Sequence, residues 1–205
     1  KLSPSLLAKT HRRTGVKQMM NIYLAGPFFN KQQLETIESI EAELDKYGFD
    51  YFSPRKGGGV LSHLSPEDRT KESKRIYDSN VSEMINANVL LAVVDDHDTG
   101  TVYEMGYFRA LTDHFKYKSE MSASAAQRYS ITFTNQNFGL NIMLKESVDA
   151  HLVGISDLQK FAGLAARSWD KPESGAPLTG IDWDDHRGRR DLILDQFQNF
   201  NPDVI

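Results

Sequence analysis

Asn88-Val89-Leu90-Leu91-Ala92-Val93-Val94-Asp95-Asp96-His97-Asp98-Thr99-Gly100-Thr101-Val102-Tyr103-Glu104-Met105-Gly106 is the stretch on which the fold turns. Residues 88–94 form the most apolar run of the chain. A short apolar run with no polar alternation reads as a strand buried on both faces, the mark of a parallel sheet. The acids that follow read as the loop at its carboxyl end. Residues from about 102 to 117 read as the next helix, with Tyr103, Gly106, Tyr107, Ala110 and Leu111 on one face. Glu104 therefore falls just past the strand, where a helix begins. Open α/β sheets bind ligands at that edge, and the positive end of a helix favours an ionised carboxylate by roughly 0.3–1 kcal/mol. Such a carboxylate can serve as nucleophile or general base.

Working outward, residues 21–26 are apolar and stopped by Gly26-Pro27, which predicts a first strand. Leu34, Ile37, Ile40, Leu44 and Tyr47 recur at helical spacing, and Gly48 ends that helix. Residues 49–53 predict a second strand closed by Pro54, and 55–59 a glycine-rich loop. Ser65-Pro66-Glu67-Asp68 carries a capping serine, an early proline and first-turn acids, so a helix is expected from there to Ile85, with Ile76, Val81, Met84 and Ile85 inward. Residues 129–134 and 151–155 predict two more strands, and Ser156 caps a final helix of the domain. Strands alternating with helices imply an α/β fold: a five-stranded parallel sheet, flavodoxin- or Rossmann-like, with helices on both faces.

The 205 residues suffice for one domain, here expected over 20–166. Residues 1–19 are basic and acid-free up to Met20 and read as a flexible extension; 167–205 read as a linker and charged tail that packs on the domain or on a neighbouring subunit. A net charge of −4 argues against a nucleic-acid polymer as partner. The absence of cysteine excludes disulfides, thiol nucleophiles and cysteine zinc sites. No run approaches the ~20 apolar residues of a membrane helix, so no membrane partner and a cytoplasmic setting are expected.

Three places carry candidate chemistry. Ala25-Gly26-Pro27-Phe28-Phe29 follows the first strand but lacks the glycine pattern of a dinucleotide site; its aromatics suit stacking on a flat ligand or packing in the core. Gly57-Gly58-Gly59 lacks the Gly-Lys-Ser/Thr ending of a phosphate loop. Asp95, Asp96, Asp98 and Glu104 form an acidic cluster, short of a calcium loop's alternation. A pair of carboxylates is what cleavage of an acetal-like bond at a sugar requires, because positive charge builds on the ring in the transition state. The histidines show no metal-ligand spacing.

Four elements in order carry a resemblance: Ile22-Tyr23-Leu24-Ala25-Gly26-Pro27-Phe28, Tyr77-Asp78-Ser79-Asn80-Val81, Asp98-x-Gly100-x-x-x-Glu104-x-Gly106 and Asn137-Phe138-Gly139-Leu140-Asn141-Ile142-Met143-Leu144. Together they resemble the nucleoside 2-deoxyribosyltransferase family over about residues 20–165. The resemblance implies that Glu104 attacks C1′ of a 2′-deoxynucleoside and releases the base, leaving a deoxyribosyl ester. A second base then resolves that ester with net retention. It makes Tyr23 the residue that orients the nucleophile and Asp98 a contact to the base that helps deliver a proton to the leaving nitrogen. Gly26, Phe28, Asn80, Asp98, Gly100, Asn141 and Met143 are the substrate-binding positions it implies. Asn141 and Met143 match a segment that reaches a neighbouring subunit's site, so a homo-oligomer with sites at subunit interfaces is implied. The partners are 2′-deoxynucleosides and free nucleobases, and no metal or organic cofactor is called for.

The chain departs from the family at Asn80, where some members carry an aspartate, and in the length of its tail. Two other readings stand beside base exchange. One is hydrolysis of the N-glycosidic bond of nucleosides or 5′-monophosphates on the same scaffold, for which Arg55, Lys56 and Ser62 could meet a phosphate. The other is a non-catalytic nucleotide-binding module.

Overall fold

The computed structural model describes residues 20–57, 65–117, 128–136, 139–168 and 194–198. The basic arm at 1–19, Gly58, Gly59, Ser62, Asn137, Phe138 and the tail at 169–193 and 199–205 lie outside these residues. The described elements are β1 (Asn21–Ala25), α1 (Lys31–Tyr47), β2 (Asp50–Phe52), α2 (Pro54–Gly57), α3 (Pro66–Asn86), β3 (Val89–Val93), α4 (Thr99–Tyr117), β4 (Tyr129–Thr134), α5 (Ile142–Lys145), β5 (Ala150–Val153) and α6 (Gly154–Ser168). All strand pairs are parallel, in the order β2-β1-β3-β4-β5. That is the flavodoxin-like order, and it reverses between β1 and β3, so the crevice of this sheet opens between their carboxyl ends.

Alternation along the strands divides the core in two. Ile22, Leu24, Leu91, Val93, Ile131, Phe133 and Leu152 join Ile37, Ile40 and Leu44 of α1 and Leu158 and Phe161 of α6 on one face. Tyr23, Ala25, Leu90 and Ala92 join Met84 of α3 and Met105 and Phe108 of α4 on the other. The site residues on β1 and α4 therefore share the second face.

Local chemistry sets the element ends. Asn30 and Gln33 form a reciprocal capping box at the start of α1, and Gly48 ends it in the left-handed region at φ 71°. Ser65 caps α3 with Pro66 in the first turn, as its sequence predicts. The C-terminal carbonyls of α3 are held by the buried Arg128, which donates to Met84 O at 3.1 Å and to Ile85 O and lies over the Phe108 ring. Desolvation pushes that guanidinium down to about 10.

Four expectations need correction. Helix α4 begins at Thr99, not near 102, and buries Thr101, Met105, Phe108 and Thr112. Tyr103 instead turns outward, 50% exposed, with its hydroxyl 3.1 Å from that of Tyr77 on α3, while Tyr107 is half-buried at the edge of the second core cluster. The glycine-rich loop is partly helix: Pro54 starts the single turn α2, which ends at Gly57. The final strand is shorter, and α6 starts at Gly154, whose φ of 73° makes the corner, two residues before the expected cap.

The tail contributes to the core. Leu194 and Phe197 are buried with α6 and β5, Phe197 meeting Phe161 edge-on at 5.8 Å. His151 N–H donates to Phe197 O at 2.8 Å and pairs as a parallel bridge with Gln198. The outer edge of β5 is thereby covered over part of its length, which blunts its capacity to pair with another chain.

Candidate active site

Tyr23 and Glu104 meet at the switch point. Tyr23 stands mid-strand on β1 with no exposed surface, stacked on Phe52 of β2 at 5.6 Å. Glu104 is half-buried on α4. The Tyr23 hydroxyl donates to Glu104 Oε1 at 2.5 Å. Burial pushes the Glu104 carboxyl up; the Tyr23 hydrogen bond pulls it back and the charge of Asp98 raises it again, for a value of about 7. Burial also pushes the Tyr23 hydroxyl far above its ordinary range, and the charges of Glu104 and of Glu83 on α3 add to this. Tyr23 is thus held protonated as a donor, while Glu104 is divided between acid and carboxylate near neutral pH.

This reverses the expectation that a helix end would favour ionised Glu104. The α4 dipole acts within the first turn, and Glu104 is the sixth residue of α4. Desolvation outweighs what remains. The helix N-terminus serves Asp98 instead: its Oδ2 accepts from Thr101 N at 2.8 Å and from Thr101 Oγ1 at 3.1 Å, the geometry of an N-cap. Oδ1 of Asp98 accepts nothing among the described residues. Gly100 leaves room for this carboxylate, since a Cβ there would stand 3.0 Å from Asp98 Oδ2. Between strand and cap, His97 takes the left-handed φ of 49°, a conformation that costs a non-glycine residue about 1–2 kcal/mol.

The other candidate residues stand at the end of β1, in the loop after it, on α3 and at α5. Gly26 ends β1 against α1: a Cβ there would lie 2.7 Å from Ile37 Cδ1 and 3.1 Å from Val93 Cβ, so close packing requires it. Phe28 is half-buried in the loop above, its ring 5.1 Å from that of the exposed Phe29. Asn80 is half-buried on α3, four residues before the core residue Met84. Among the hydrogen bonds of the described residues, none joins Asn141 or Met143 to Glu104. Asn141 caps α5 by accepting from Met143 N at 2.9 Å, and Ile142 and Met143 are 58% and 76% exposed.

Asp95 and Asp96 are braces. Asp95 accepts from Thr134 Oγ1 and Asn135 N, and Asp96 from Gln33 Nε2. Arg55 and Lys56, which could have met a phosphate, are engaged with buried Glu41 at 2.5 and 3.3 Å. Burial pushes Glu41 up, but hydrogen bonds led by Arg55 and Ser53 hold it below the usual carboxylate range. Among the described residues no three acidic or histidine side chains are placed to hold a metal, and no helix is long and apolar enough to cross a membrane.

Sequence reasoning missed Thr101, Gln33, Phe52 and Glu83. Asp98-Thr99-Gly100-Thr101 carries the signal for Thr101, an acid three residues before a threonine at a helix start. Phe52 and Glu83 have no local mark; their relevance comes from the pairing of β2 with β1 and from the packing of α3.

Comparison with known proteins bears on the same residues. The family model described as nucleoside 2-deoxyribosyltransferase matches residues 22–143, more than half of the chain and a span that includes every candidate site residue. A solved 2-deoxyribosyltransferase from the psychrotolerant bacterium Bacillus psychrosaccharolyticus superposes with a TM-score of 0.54 at 25% identity, over 68% of this chain and 90% of that one. A 2-desoxiribosyltransferase from Leishmania mexicana gives a TM-score of 0.45 at 18% identity, over 70% of this chain and 97% of that one. An uncharacterized protein of Ureaplasma parvum serovar 3 is 31% identical over an aligned stretch of 109 positions; the match covers 49% of this chain and 66% of that relative, just under two thirds of its length.

Proposed function

The chain belongs to the nucleoside 2-deoxyribosyltransferase family, and we propose that it moves a 2-deoxyribosyl group from one nucleobase to another through an ester on Glu104. The observation that carries this reading is the Tyr23–Glu104 hydrogen bond of 2.5 Å at the switch point, with Glu104 raised to about 7 by burial.

In the first step an oxygen of ionised Glu104 forms a bond to C1′ as the C1′–N bond breaks. The bonding electron pair goes to the departing nitrogen, which takes up a proton that comes from solvent by way of the Asp98 carboxylate. Positive charge on the sugar ring in the transition state is met by a desolvated carboxylate, where charge interactions are worth more than in water. Tyr23 holds the other lobe of the reaction by keeping one Glu104 oxygen fixed. In the second step the nitrogen of an incoming base bonds to C1′ as the C1′–O bond to Glu104 breaks; its proton passes by way of Asp98 to solvent, and Glu104 leaves as carboxylate. Two inversions give net retention. Asp98 fits the proton-handling part because Thr101 occupies only its Oδ2.

The reading extends to the assembly. Asn141 and Met143 would serve a neighbouring subunit's site, and the exposure of Ile142 and Met143 supports a homo-oligomer in which α5 is covered. Gly26 and Phe28 would border the base, and Asn80, able both to donate and to accept, would pair with its edge.

Incubation with deoxyinosine and free adenine, followed by chromatography, tests the proposal. Deoxyadenosine is expected. Hypoxanthine with free deoxyribose and no exchange would instead establish a hydrolase, and no turnover across deoxynucleosides and deoxynucleotides would leave a binding module.

A further inference from the structure

We infer that Gln33 is a positioning residue that couples the two loops flanking the crevice, and that its tie to Asp96 governs how tightly the site holds a nucleoside; the second half rests on the proposed function. The loops at 26–30 and 94–98 leave the adjacent strands β1 and β3 on either side of the switch point. The first carries Gly26 and Phe28, and the second ends on Asp98.

The amide of Gln33 is engaged at both ends. Its Oε1 accepts from Phe29 N at 2.8 Å and Asn30 N at 3.2 Å, within the first loop. Its Nε2 donates to Asp96 Oδ2 at 2.7 Å, in the second. Helix capping accounts for the first set alone, since a capping box needs an acceptor at this position and glutamate supplies one equally well. The bond to Asp96 requires a donor, so an amide side chain meets both demands where a carboxylate meets one.

Asp96 is separated from Asp98 by His97 alone, and the left-handed backbone there leaves little slack. Asp95 is fixed independently: Asn135 donates to it from N at 2.8 Å and also reaches Thr36 Oγ1 of α1 at 3.1 Å. With Asp98 locked on Thr101, the second loop is anchored at Asp95, Asp96 and Asp98. The Asp96 anchor leads directly to the loop that carries Phe28. Loosening it lets the aromatic side of the crevice move relative to Asp98.

Gln33→Glu isolates this role. It keeps the acceptor for Phe29 and Asn30 but sets a second carboxylate against Asp96. The expected result is an unchanged melting temperature, faster amide hydrogen exchange over 27–30 and 94–98, and kcat/KM for a 2′-deoxynucleoside lower by about ten-fold, mostly through KM. Adding Asp96→Asn restores a donor–acceptor pair of reversed polarity and is expected to recover both exchange protection and KM. Unchanged exchange in Gln33→Glu, faster exchange with an unchanged KM, or no recovery in the double variant would each overturn the inference. A wild-type protein that turns over no deoxynucleoside would sink the proposed function instead, a separate result because exchange is read without substrate.

Discussion

The Tyr23 hydroxyl lies 2.5 Å from Glu104 Oε1, joining two residues 81 positions apart in the chain. One comes from the middle of a strand and the other from the second turn of a helix, so neither can move far without disturbing the core. The bond favours the carboxylate over the acid and opposes the desolvation that raises Glu104.

Tyr23→Phe keeps the ring and its stacking on Phe52 but removes the donor. Hydrogen bonds to charged groups contribute about 1.5–3 kcal/mol, so kcat/KM is expected to fall by roughly ten- to a hundred-fold. Glu104 loses the one interaction that lowers it, so the rising limb of the pH–rate profile moves to higher pH. A limb that stays in place would show that Tyr23 does not act through Glu104.

Glu104→Gln is expected to abolish transfer and to stabilise the protein in alkaline solution. Glu104 has a folded value of about 7 against an ordinary 4.5. Between these values the folded state holds a proton that the unfolded state has released. Its favourable contribution is complete below 4.5 and is lost as pH rises through 7, a loss of about 3 kcal/mol. Urea unfolding should show the variant and the parent alike near pH 4.5 and the variant more stable at pH 8.

Asp98 carries two roles that substitution can separate. Asp98→Asn retains an oxygen for Thr101 and should keep stability within about 0.5 kcal/mol, while losing the proton-handling group and most activity. Asp98→Ala should lose activity and also about 1 kcal/mol of stability with the cap. Equal activity in Asp98→Asn and the parent would confine Asp98 to capping.

Two glycines of the quoted motifs should respond in opposite directions. A Cβ at Gly106 meets nothing within 4 Å, so Gly106→Ala in the body of α4 should add about 1 kcal/mol of stability by helix propensity. A Cβ at Gly26 is driven into Ile37 and Val93, so Gly26→Ala should cost about 1–3 kcal/mol by overpacking. Thermal melting of the two variants beside the parent measures both.

Legibility followed the strength of local signals. The apolar run at 88–94 and the helical stripe of Ile37, Ile40 and Leu44 are dictated by burial on known periods, and the sheet follows from them. The motif order implies, by resemblance, that Tyr23 orients Glu104; the 2.5 Å distance is what the structure adds. The protonation of Glu104 is not legible in the sequence, because burial sets it and burial depends on how α4 packs on the sheet. Helices α2 and α5 are too short to show a period. Leu194 ends the three-residue apolar run from Leu192, too short to show a period, and Phe197 stands between glutamines; their burial depends on where the chain returns.

That return has a consequence for where the protein can be cut. The family match ends at residue 143 and the last long helix among the described residues at 168, yet Leu194 and Phe197 complete the interior beside it. A fragment trimmed to the shared ancestry would lack β5 and α6 altogether, and one trimmed at 168 would leave a hollow of phenylalanine size beside Phe161 and bare the rim of β5, inviting strand addition between molecules. The smallest autonomously folding piece is therefore defined by packing and is longer than the piece defined by descent.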